Sequence, residues 1–145
     1  MSIFKSINIS ASGLTAERLR MDIISKNIAN ANTTRTSSGT PYRRQVPVFR
    51  EVQSKTSFTT HLGNAMNTSG NGVEVIAIKE DTSPFKKTFD PGHPDADKDG
   101  YVQLPNIDTV TEMVNMISAS RAYEANITAL NATKAMALKA LEIGK

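Results

Sequence analysis

The chain has 145 residues, 39% of them hydrophobic and 21% charged, with a net charge of +3; that suffices for one domain with a core of its own and is not a disordered composition. It has no cysteine, which excludes disulfides and thiolate metal sites. Arg35, Arg43, Arg44, Arg50 and Lys55 are scattered among neutral polar residues, a pattern of solvated surface and not of nucleic-acid binding.

No apolar run approaches the ~18 residues of a membrane span. The opening stretch MSIFKSINISASG has no apolar h-region, so no cleavable secretory signal is expected. Residues 3–31 read as a helix. At 100° per residue Ile3, Ile7, Leu14, Met21 and Ile28 share one side, near a heptad spacing. Ile9, Ala16, Leu19 and Ile23 form a second stripe on the opposite side, with Glu17, Arg18 and Asp22 between the two.

The second stripe continues into Asn27 and Asn30. A buried asparagine in a helical seam costs stability but fixes register, because a slipped partner leaves its amide unpaired. Asn27 and Asn30 are therefore expected to set the register of a helix–helix contact. The alternative is that the asparagines simply terminate the helix; that role suits Asn32.

Residues 33–104 hold five of the six prolines and six of the eight glycines, and read as loops and short strands. PYRRQVPVFREV alternates like a strand that Pro47 restricts to an edge. TSFTTHLG is a second candidate, GVEVIAIKED the best one, and TSPFKKTFDPG a fourth across a probable bend. DADKDG copies the first half of a calcium loop, but the twelfth position, where a bidentate Glu belongs, is Asn106; a solvated acidic turn is expected. His61 and His93, the two histidines, lack metal-ligand spacing. Nucleotide-binding and nucleophile motifs are absent, so no enzyme is expected.

Residues 107–143 read as a second long helix, entered after Pro105 through a capping box of Thr109 and Glu112. One face carries Met113, Met116, Ala119, Tyr123, Ile127, Leu130, Ala137 and Leu141. The other carries Val110, Val114, Ile117, Ala125, Ala129, Ala132 and Met136. The expected fold is thus mainly α with a small β-rich insert. A hairpin of these two helices covers one stripe on each, and large aliphatic side chains left wet forfeit ~1.5–3 kcal/mol apiece. Surplus apolar surface of this kind implies partners. The candidate contact residues are Ile7, Leu14, Leu19, Met21, Ile23, Asn27, Ile28 and Asn30 at one end. At the other they are Val114, Ile117, Tyr123, Ile127, Leu130, Leu138 and Leu141. A membrane-surface or pore-forming amphipathic protein is the competing reading, but it needs one cationic face opposite one apolar face.

SASGLTAERLRMDIISKNIANANT resembles the N-terminal signature of the axial proteins of the bacterial flagellum, the rod and hook family. The matching elements are Ser12, Gly13, Leu14, Arg20, Asn27, Ala29, Asn30 and Thr33. PYRRQ is similar to the family's continuation, and residues 80–145 resemble the C-terminal half of its proximal-rod members. The extra residues of TTRTSSGTPYRR before Tyr42 depart from the common pattern and suit the proximal-rod variant. The resemblance implies a structural protein with no cofactor. Its terminal helices, residues 1–32 and 106–145, would form a coiled-coil-like tube of α-helices, with residues 33–105 as an outer β/loop domain. It further implies export by the flagellar type III apparatus without signal cleavage, and assembly into a rod crossing the periplasm. The implied partners are other copies of itself, proximal and distal rod subunits and the rod-base adaptor. Neither nucleic acid nor lipid is among them.

Overall fold

The computed structural model describes residues 3–52 and 71–143. Its elements are helix α1 (Ile3–Ala29), strands β1 (Gln45–Glu51), β2 (Val73–Glu80), β3 (Lys86–Phe89) and β4 (Tyr101–Leu104), and helix α2 (Thr109–Ile143). TSFTTHLG lies outside the described residues.

Both helices form where apolar periodicity runs unbroken by proline, and α1 stops where its own polar side chains take over the backbone. The Asn30 amide and the Asn30 side-chain Nδ2 both donate to the Lys26 carbonyl, at 3.1 and 2.9 Å. The Thr33 hydroxyl donates to Asn30 Oδ1. Asn30 is thus a terminator, where register was expected of it; its side chain is spent on its own last turn. At the start of α2 the cap is Asp108, not a Thr109–Glu112 box. The Asp108 carboxylate accepts from the Val110 amide and the Thr111 hydroxyl, as an N-cap does. The Thr111 hydroxyl is the main influence holding the Asp108 carboxyl below its ordinary pKa.

The helices run antiparallel. Asn27 of α1 bonds Glu112 of α2, and fourteen residues earlier Gly13 faces Asn126. A Cβ at Gly13 would stand 3.1 Å from the Asn126 amide, so glycine here lets the helices approach closely.

The β strands form two separate two-stranded antiparallel ribbons, β1–β2 and β3–β4. In the first, Gln45 pairs with Glu80 and Glu51 with Val73, with an irregularity between Val48 and Phe49. Pro47 is accommodated because a two-stranded ribbon has only edges. This ribbon lies along α1, from Gln45 beside Asn27 to Val73, whose amide donates to Ser12 Oγ. Gly72 turns the chain into β2 at φ +93°, where a Cβ would stand 2.5 Å from Ser12 Oγ. Gly72→Ala is expected to lower unfolding free energy by more than ~1 kcal/mol; an unchanged urea midpoint would contradict this contact.

In the second ribbon Phe89 and Tyr101 meet edge to face, with ring centroids 5.4 Å apart. Strand β4 is not among the strands the sequence pattern marks: it is four residues long and follows directly on the acidic turn. That turn closes on itself, the Gly100 amide donating to the Asp97 carbonyl. Asp95 accepts from the Thr34 hydroxyl and pairs with Arg35 at 3.6 Å. Among the described residues no group of three His, Cys, Asp or Glu side chains could hold a metal ion.

Candidate assembly surface and polar clasp

Where α1, β1 and α2 converge, the buried residues are polar. Asn27 is 1% exposed and its side-chain amide is fully used. Nδ2 donates to the Gln45 carbonyl at 2.8 Å and to Glu112 Oε2 at 3.0 Å. Oδ1 accepts from the Gln45 amide at 2.9 Å and the Tyr42 hydroxyl at 3.2 Å. The amide thus pairs with both backbone groups of Gln45, as a neighbouring strand would, and ties β1 to α1. Burial is the largest cause of the raised Tyr42 pKa, followed by the charges of Glu80 and Glu112, so the phenol stays a donor.

Glu112, also 1% exposed, joins this amide to a cation. Arg44 donates to Glu112 Oε1 through Nε and Nη2, at 2.9 and 2.8 Å, and Asn115 adds a further donor. Arg44 also pairs with Asp81 at 3.5 Å. Asn106 binds the same corner, accepting from the Arg44 amide and donating to the Asp81 carbonyl. One buried cluster therefore fixes both helices and the first ribbon relative to one another. A buried polar cluster with every member paired specifies a single arrangement, because any slip strands several groups at once.

This location corrects the expectation about Ile23 and Asn27. Neither belongs to surface left uncovered by the chain: Ile23 is 1% exposed and packs in the chain's own core with Ala16 and Ile24. The rest of α1 follows the same logic. Ile7, Leu14, Leu19, Met21, Ile28 and Asn30 are all half-buried. The second stripe does not wait for a neighbour, since α1 packs on both α2 and the β1–β2 ribbon. Among its described side chains Phe4 is the one large apolar residue that is exposed.

The surplus lies on α2. Glu112, Ala119 and Asn126 define its seam with α1. Half a helical turn away, at 100° per residue, run Val110, Val114 and Ile117, which are 68%, 60% and 61% exposed. Tyr123 and Leu130 stand on the seam side and are half-buried, while Ile127 is just exposed. Leu138 and Leu141 are exposed.

Comparison with known proteins gives this architecture its class. A family model described as flagella basal body rod protein matches residues 7–35, and one described as flagellar basal body rod FlgEFG protein C-terminal matches residues 98–143. The two matches take in most of α1 and all of α2, and with them Asn27, Glu112 and the exposed row. The similarity to single proteins extends over the whole length. Flagellar basal-body rod protein FlgC of Bacillus subtilis (strain 168) is 51% identical across all of both chains. FlgC of Borreliella burgdorferi is 49% identical over 99% of this chain and 98% of its own. FlgC of Escherichia coli O6:H1 is 38% identical over the full length of both. The chain belongs to the FlgC family of flagellar basal-body rod proteins, and is a structural rod subunit and not an enzyme.

Proposed function

We propose that this chain polymerises through its terminal helices into the periplasm-crossing shaft that transmits torque and encloses the export channel. The observation that carries the proposal is the row Val110, Val114 and Ile117. These three aliphatic side chains lie exposed on a helix whose opposite side is already packed. Burying each fully yields ~1.5–3 kcal/mol, and a second copy or another rod subunit presenting a helix supplies the cover. Residues 1–32 and 106–145 form the coiled-coil-like inner tube in this reading, and residues 33–105 the outer part. The clasp at Asn27 roots that outer part on the helices, so that torque passes between them without a slack linker. Subunits reach the rod through the flagellar type III apparatus, with the helix ends ordering fully only on assembly.

A double variant, Val114→Asp with Ile117→Asp, tests this. Both positions are exposed, so the purified chain keeps its helical circular dichroism and melting temperature. In cells lacking the native copy, the variant is expected to be missing from purified basal bodies and the cells to be non-motile. Normal incorporation and swimming would overturn the proposal.

A further inference from the structure

Between α1 and the turn into β2 lies a pocket of ≈430 Å³, lined by the apolar Ile9, Ala16, Phe49 and Val73 with Gly13 and Gly72. Two polar side chains border it, Asn126 and Glu17. Asn126 is satisfied, donating to the Ala122 carbonyl. Glu17 is not. Its side chain is 18% exposed, and its nearest cation, Arg20 of the same helix, stands 3.6 Å from Oε2. Oε2 is buried and accepts no hydrogen bond among the described residues. The contact with Arg20 is an ion pair longer than a hydrogen bond, so the carboxylate's acceptor positions are not all taken, and its 18% exposure leaves it within reach of a second cation.

The exposed row on α2 has the complementary order. Val110, Val114 and Ile117 are followed one turn later by Arg121, at the i, i+4, i+7, i+11 spacing of one helix face. The Arg121 side chain is 78% exposed and its present partner at 3.4 Å, Glu124, is exposed as well; such a pair is worth little in water. Ile117 and Arg121 are ~6 Å apart along the helix, a span that a pocket of this size accommodates.

We infer that the pocket is the socket for a second copy of this chain, which inserts Ile117 among Ile9, Phe49 and Val73 and brings the Arg121 guanidinium to Glu17. The inference rests on the assembly reading above and gives it a specific pairing. Socket and row are different patches of one molecule, so the contact is head to tail, and a head-to-tail contact that does not close generates an open filament.

The chain's lack of cysteine makes the test clean. One copy carries Phe49→Cys and a tagged second copy carries Ile117→Cys; both are expressed together, and disulfide formation between them is measured in isolated rods. A cross-link between the two copies is expected. Adding Arg121→Glu to the tagged copy cuts its yield about tenfold, as loss of one charge-assisted contact does. Adding Glu17→Arg to the first copy as well restores it. Arg121 is exposed, so its reversal does not threaten folding. No cross-link between the two copies, or a cross-link only to a different axial protein, overturns the socket, as does a reversed pair that restores nothing. If Val114→Asp with Ile117→Asp still blocks incorporation in that case, helix-mediated assembly stands and only the socket fails.

Discussion

Asn27→Leu is expected to lower the unfolding free energy by about 3–5 kcal/mol, since each buried polar group left without a partner costs ~1–3 kcal/mol. The groups stranded are the amide and carbonyl of Gln45 and the Oε2 of Glu112. The Tyr42 hydroxyl loses its acceptor as well. Leucine is the better helix former, so α1 itself keeps its propensity and the loss falls on tertiary structure. Far-ultraviolet circular dichroism at low temperature therefore changes little while the urea midpoint falls steeply. The variant is also expected to be lost from assembled rods. A midpoint within error of the native chain would show that the amide is dispensable to the fold.

Arg44→Met is the second large effect. It leaves the Glu112 carboxylate buried with only the neutral donors Asn27 and Asn115. Breaking a buried ion pair from one side costs ~3–5 kcal/mol. Lysine restores only part, because a single ammonium cannot reproduce the two-pronged contact of Nε and Nη2 with Oε1. The matched control is Arg50→Met, whose partner Glu74 is exposed and whose loss costs at most ~1 kcal/mol. Equal denaturant midpoints for the two variants would remove the clasp from the account.

The long helices are legible in the sequence because their periodicity is local and survives any context. The clasp is not, because its members are far apart in the chain: Asn27 meets Gln45 and, 85 positions on, Glu112. An asparagine inside an apolar stripe signals a buried amide, and that signal is correct. Its partners lie in the same chain: Glu112 in the seam between α1 and α2, and Gln45 in a strand that no helical pattern reveals. Glu112 misleads for a related reason. Its spacing from Thr109 fits a capping box, but a deeply buried carboxylate is drawn to the guanidinium of Arg44, and Asp108 takes the cap. Arg44 carries no local mark at all, sitting beside Arg43 in what reads as solvated surface. Exposed apolar surface lies at Val114 and Ile117 but is overcounted on α1, whose second partner is the chain's own β1–β2 ribbon. Strand pairing between residues 45–51 and 73–80 brings that ribbon onto the helix, and no helical wheel can show it.

The central claim is that the outer row of α2 is open in a single chain and covered in the rod. It is tested most directly by introducing Val114→Cys into the cysteine-free chain and measuring its maleimide reaction rate. The account predicts rapid labelling of the purified monomer and strong protection in isolated basal bodies. Equal rates in the two states would contradict it.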